Sequence, residues 1–172
     1  GTYTFPVVSV GATENALMAA VLAKGTCILD NAAREPEIVD LCRLLVAMGA
    51  DIEGVGSDRL IVTGRERLHG ATYAVMPDRI EAGTFLVAGA MAAGKDGITL
   101  RRVEPDHLTS VTDVLTRCGC AIERHGKSLT IRKAAKPSRG GIVIVGECLA
   151  HDHDSARKQL VKPAAAPSKK GE

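Results

Sequence analysis

Apolar positions in this chain fall into short blocks, and each block has the period of a particular element. Ala16 to Ala23 is an unbroken apolar octet, which predicts a helix apolar on every side and therefore buried all round. Before it, Tyr3 to Val10 is an extended run interrupted by Pro6 and ending at Gly11. Thr13 stands where an N-cap belongs, with Glu14 in the first turn, where a negative charge suits the helix dipole. Thr26 to Leu29 reads as a short strand. Ile38, Leu41, Cys42, Leu45 and Val46 then recur at helical spacing and form one apolar stripe. Pro36 fits the first helical position, Glu37 and Asp40 lie near its start, and Gly49 fits the position just past its end. Asp51 to Val55 and Arg59 to Val62 flank Gly56-Ser57-Asp58 as a hairpin, and Ala71 to Met76 is extended up to Pro77.

The same marks return about seventy residues later, too long a period for an ordinary solenoid. Lys24-Gly25 is matched by Ala93-Gly94, Glu35-Pro36 by Glu104-Pro105, and Leu60-Ile61-Val62 by Leu129-Thr130-Ile131. Glu81 to Ala92 is a second small-residue apolar helix and Gly97 to Leu100 a strand. Pro105 to Cys118 is a helix with Leu108, Val111 and Leu115 as its stripe. Cys120 to Glu123 and Leu129 to Ile131 form a hairpin around His125-Gly126-Lys127. Each unit thus reads strand-helix-strand-helix-hairpin, an α/β module whose sheet wraps around two buried helices. Beyond Lys133 the pattern fails. Gly141 to Val145 is one more strand candidate, His151 to Lys158 is polar, and Val161 to Glu172 has the composition of a disordered tail.

Composition narrows this picture. Hydrophobic residues are 45% of the 172, but aromatics only 2%, with no Trp, so the core is built from Ala, Val, Leu, Ile and Met. A net charge of +2 argues for neither a nucleic-acid partner nor a membrane surface. No apolar run reaches the roughly 18 residues of a membrane span, and no secretory signal pattern opens the chain. Five cysteines, an odd number set within apolar patterns, read as free thiols of a reducing cytoplasm. The start at Gly1-Thr2-Tyr3, without Met, reads as a piece of something larger.

Val8-Ser9-Val10-Gly11-Ala12-Thr13 sets a strand end, a glycine and hydroxyls at a helix N-terminus. That is either an anion site suited to phosphate or an ordinary capped turn. Pro77-Asp78-Arg79-Ile80-Glu81 is either a charged cleft edge or a helix start with acids in its first turn. Cys148, His151 and His153 have zinc donor types but no evident fourth ligand, so no metal site is assigned. Cys118-Gly119-Cys120 reads as small packing residues rather than a redox pair, and His69, His107 and His125 support no triad.

Four ordered segments carry a resemblance. They are Ser9 to Asn15, Asn31 to Asp40 (NAAREPEIVD), Arg67 to Ala71, and Met76 to Phe85 (MPDRIEAGTF). Together they resemble the UDP-N-acetylglucosamine 1-carboxyvinyltransferase family of enolpyruvyl transferases, from about Tyr3 to Ile131, and they cover the middle third of such an enzyme. The resemblance implies two domains, each an inside-out α/β barrel of three similar units with helices inside. Residues 1–76 would then be the last unit of one barrel, 77–133 the first unit of the other, and 134–172 an unmatched tail. It implies transfer of enolpyruvyl from phosphoenolpyruvate to the 3′-hydroxyl of UDP-N-acetylglucosamine, the first committed step of peptidoglycan synthesis, by addition and elimination. No metal or organic cofactor is implied.

The family's nucleotide contacts fall on Val7, Val8, Ser9, Val10 and Gly11, and some members carry lysine where Val7 stands. Glu35, Glu37, Asp78 and Arg79 match positions near the interdomain cleft. The family's catalytic cysteine loop and Lys-Asn pair would precede this segment. Its catalytic aspartate motif is not found at Ala150 to Asp154, so no catalytic residue is assigned, and Asp152 is not given the role on distance alone. The expectation is a fragment inactive by itself, with most of the phosphoenolpyruvate site missing and with apolar surface that favours self-association. Two rivals remain: a 3-phosphoshikimate 1-carboxyvinyltransferase-like enzyme and a non-catalytic nucleotide-sugar binding module.

Overall fold

A computed structural model describes residues 1–133, which divide into two compact units, Gly1–Met76 and residues 77–133. The first unit runs β1 (Thr2–Thr4), α1 (Val10–Ala20), β2 (Thr26–Asp30), α2 (Pro36–Ala47), β3 (Asp51–Glu53) and β4 (Arg59–Thr63). Its sheet has the order β1-β2-β4-β3, with β1 parallel to β2 and the other pairs antiparallel. Leu17, Val21, Leu29, Ile38, Cys42, Leu60 and Val62 fill the core between this sheet and the two helices. Each of the Val, Leu and Ile side chains among them contributes about 1.5–3 kcal/mol on burial.

The second unit runs α3 (Arg79–Ala92), β5 (Ile98–Arg101), a 3₁₀ turn (Pro105–Leu108), α4 (Thr109–Arg117), β6 (Ala121–His125) and β7 (Ser128–Arg132). Its sheet has the order β5-β7-β6, all antiparallel, around a core of Leu86, Val103, Leu108, Leu115, Leu129 and Ile131. The duplication is visible in detail. Both α2 and α4 end on a glycine with positive φ, Gly49 at 97° and Gly119 at 90°. In both, the next amide reaches back five residues: Ala50 N to Leu45 O at 2.9 Å and Cys120 N to Leu115 O at 3.1 Å. Both β2 and β5 are followed by a left-handed residue, Asn31 (φ 57°) and Arg102 (φ 56°).

Several expectations need correction. The run Tyr3 to Val10 is a strand only at its start: Phe5 turns into the core, Pro6 has no amide to continue a ladder, and α1 opens at Val10. Its N-cap is Ser9, because Thr13 lies inside the helix with its hydroxyl occupied. Ala71 to Met76 forms no strand, and Tyr73 Oη and Met76 N donate to Asp40 instead. The span Pro105 to Cys118 starts as a 3₁₀ turn before becoming α-helical. Finally, the apolar stretches of α1 and α3 are not buried all round: among the described residues each keeps large apolar side chains exposed. Met18 and Leu22 of the first helix segment are 46% and 55% exposed, and Phe85 and Met91 of α3 are 54% and 71%. A sheet of three or four strands covers one face of its helix.

Candidate functional site

Because β1 and β2 are parallel, the loops leaving their carboxyl ends emerge at one edge of the first unit. Open α/β sheets bind ligands at that edge. The β1 exit is fixed by Phe5 N donating to Asp30 O at 3.0 Å and by Asn31 Nδ2 donating to Phe5 O at 2.8 Å. Left-handed backbone at Asn31 lets its short amide reach back to that carbonyl. The chain then enters α1 through Ser9, whose Oγ accepts from Ala12 N at 3.3 Å.

Thr13, fully buried, donates its hydroxyl to Ser9 O at 2.8 Å and accepts from Ala33 N at 3.0 Å. Ala32 N donates to Asp58 O at 2.8 Å, which brings the β3–β4 turn to the same edge. Arg59 pairs there with Asp30 at 3.5 Å.

The sequence-selected residues Val7, Val8, Ser9, Val10 and Gly11 therefore share an edge with Glu35 and Glu37. Glu35 is the residue before α2, makes no side-chain cap bond, and Glu37 lies in the first turn. Val8 and Val10 lean on the core, whereas Val7 is 73% exposed. A side chain built at Gly11 would meet nothing within 4 Å, so the approach to the first turn of α1 is open. Two helix N-termini with outward amides suit an anion.

Asp78 and Arg79 belong to the second unit, where they open α3. They occupy the places that Ser9 and Val10 hold in the first copy. Asp78 Oδ1 accepts from Ile80 N at 2.7 Å and Glu81 N at 3.2 Å. Its own carboxylate thus neutralises the amides of α3, while the neutral Ser9 leaves the α1 terminus without a negative charge of its own.

Sequence reasoning missed the connecting groups. Thr13 was readable only as a cap, and the role of Asn31 needed the left-handed turn after β2. A third group is Asp40 on α2, which accepts from Tyr73 Oη at 2.8 Å and from Met76 N at 3.2 Å. Loss of solvent and the bond to the Asp40 carboxylate both raise the Tyr73 pKa above its ordinary value. Burial pushes the Cys42 thiol up to about 11, which leaves it an inert packing residue.

Cys27, Cys42, Cys118 and Cys120 are free thiols. Among the described residues no group of His, Cys, Asp and Glu could hold a metal, and no helix is long and apolar enough to cross a membrane. Cys148, His151, Asp152 and His153 lie outside the described residues. An open groove of about 430 Å³ along α1 is lined by Tyr3, Ala16, Ala19, Ala23, Cys27 and Ile28. It is apolar and separate in character from the polar edge.

Residues 2–149 match the model of the EPSP synthase (3-phosphoshikimate 1-carboxyvinyltransferase) family. The chain belongs to this family. Within the EPSP synthase family it is 52% identical over 136 residues to a UDP-N-acetylglucosamine 1-carboxyvinyltransferase of Sphingopyxis alaskensis, a match covering 79% of this chain. It is also 52% identical over 147 residues to the enzyme of that name from Novosphingobium aromaticivorans, covering 86% of this chain. The chain spans 31% of the length of each of these curated relatives.

Among solved structures, the enolpyruvyl transferase NikO from Streptomyces tendae aligns with a TM-score of 0.65 at 27% identity, covering 74% of this chain and 31% of that one. EPSP synthase from Acinetobacter baumannii aligns at 0.50 and 25% identity, covering 76% of this chain and 30% of that one. The two α/β units therefore carry part of the enolpyruvyl transferase fold.

Proposed function

We propose that this chain is the central part of a UDP-N-acetylglucosamine 1-carboxyvinyltransferase and that the α1–α2 edge of its first unit contributes to the nucleotide-sugar site. The observation that carries the reading is 52% identity to two enzymes of that name across most of this chain. The reaction so assigned moves enolpyruvyl from phosphoenolpyruvate to the sugar 3′-hydroxyl. The hydroxyl gives up its proton as its oxygen adds to C2 of phosphoenolpyruvate, while C3 takes a proton and the C2–C3 double bond becomes single. The tetrahedral intermediate then loses phosphate and a C3 proton, which restores the double bond. Val7 to Gly11 would offer amides and the Ser9 hydroxyl to the nucleotide, with Glu35 and Glu37 at the rim. Asp78 and Arg79 would stand at the entry to the second barrel domain, with Gly1–Met76 closing the first. The setting is cytoplasmic peptidoglycan synthesis, and with it cell shape and division. The apolar flank of α3 provides a surface for self-association.

The test pairs binding with turnover. The 172-residue chain is titrated with UDP-N-acetylglucosamine, and phosphate release is then followed after adding phosphoenolpyruvate. Binding without steady-state release is expected. Clear turnover would show that the chain holds a complete catalytic apparatus, and absence of binding would remove the α1–α2 edge from the site. The rival shikimate reading, whose name the family model and the Acinetobacter structure carry, predicts binding of shikimate 3-phosphate in place of the nucleotide sugar.

A further inference from the structure

The duplicated helix gives a comparison within one molecule. In the first unit two side chains tie the β1–α1 segment to the loop before α2. Thr13 links Ser9 O to Ala33 N, and Asn31 reaches Phe5 O. In the second unit Ala82 holds the place of Thr13, and Arg102 follows β5 where Asn31 follows β2. Ala82 is buried as Thr13 is, so packing alone does not require a hydroxyl at this point. A buried hydroxyl is costly unless it is both donor and acceptor, and Thr13 is both, each time to a loop named above.

We propose that Thr13 is a positioning residue, one that fastens the α1 entry (Val7 to Gly11) to the α2 entry (Ala33 to Glu37) so that both present one rigid surface to a single ligand. The proposal rests on the reading of this edge as part of a nucleotide-sugar site. Thr13 itself is buried and touches no ligand. It acts through the carbonyl of Ser9 and the amide of Ala33.

The test uses the full 172-residue chain with Thr13→Val, which keeps the size and removes both hydrogen bonds, and Thr13→Ser, which keeps the hydroxyl. Val62→Ala, a core truncation in β4 remote from both loops, serves as the stability control. Amide exchange is read at residues 10–13 and at Ala33, and affinity is read by titration with UDP-N-acetylglucosamine. Thr13→Val should speed exchange at both loops about tenfold, well below the melting temperature, as local opening becomes easier. It should also weaken binding about tenfold, as expected for loss of a buried hydrogen-bond pair. Thr13→Ser should recover both to within about threefold of the parent. Val62→Ala should lower the melting temperature with no change at either readout.

Equal affinity in the parent and Thr13→Val overturns the proposal. If the parent itself fails to bind, the nucleotide-sugar reading falls and exchange alone decides. Faster exchange at both loops sustains the fastening, and unchanged exchange at residues 10–13 overturns it.

Discussion

Ala20 faces the sheet from α1, and the second copy has Gly89 at that place in α3. A Cβ built on Gly89 would lie 2.6 Å from Ile131 Cγ2 and 3.7 Å from Ile98 Cβ. In the first sheet the corresponding cross-strand pair is Cys27 with Val62, in the second Ile98 with Ile131. The second sheet has the bulkier pair and its helix lacks the methyl, so volume lost on one layer is regained on the other. Gly89→Ala should therefore destabilise the second unit by about 1–3 kcal/mol through overpacking. Adding Ile131→Val should return most of that loss, and a double-mutant cycle in denaturant measures the coupling. Unchanged stability of Gly89→Ala would refute this packing account. Residue type showed in sequence that α1 and α3 are small-residue helices. It did not show which small residue meets which strand, because that depends on the pairing register.

Elements were legible where an apolar period met a clear stop signal. The α2 stripe with Pro36 and Gly49, and both hairpins, appear close to their expected bounds. Boundaries failed where side chains captured backbone groups, at Ser9 and Thr13 and between Ala71 and Met76. That second stretch is anchored by Asp40, so Asp40→Ala should speed exchange of the Met76 amide by about tenfold or more, and Tyr73→Phe should have a smaller effect. No change in either variant would show that the segment is held by other means.

The raised Tyr73 pKa also has a sign. Its neutral form is favoured in the fold, so stability is intact below the ordinary tyrosine value and falls as pH rises through it. Tyr73→Phe should flatten that alkaline slope in a pH series of melting temperatures. The second unit has the opposite dependence at the acid end. The Asp106 carboxyl is held down first by its hydrogen bond from Arg124, and the Glu123 carboxyl by Arg132. Their stabilisation is present above the ordinary carboxylate range and is lost as pH falls through the lowered values. Both are surface pairs, so the effect is modest and fades in high salt. Arg124→Leu should reduce the acid sensitivity of the second unit, read from its own amide signals. Equal acid sensitivity in parent and variant would count against the ion pair as its source.

At the scale of the whole chain, the repeat and the α/β class were readable because hydrophobic period and punctuation recur together. Burial of α1 and α3 was overestimated, because an all-apolar helix shows what needs covering without showing what covers it. Their uncovered flanks lead to the last prediction. Phe85→Lys with Met91→Lys should shift sedimentation of the 172-residue chain toward monomer, and an unchanged, concentration-dependent profile would exclude the α3 flank as the contact.

The divergence between Ala20 with Val62 and Gly89 with Ile131 also bears on how such a chain reaches its native state. Tandem copies of one module are exposed to misassembly, in which a helix docks on its neighbour's strands. Here α1 laid on the second sheet would bring the Ala20 methyl against Ile131, and α3 laid on the first would leave a methyl-sized hole beside Val62. Both wrong pairings are penalised and both right ones fit. A methyl absent from the helix and bulk added on the strands make two copies of the same plan non-interchangeable.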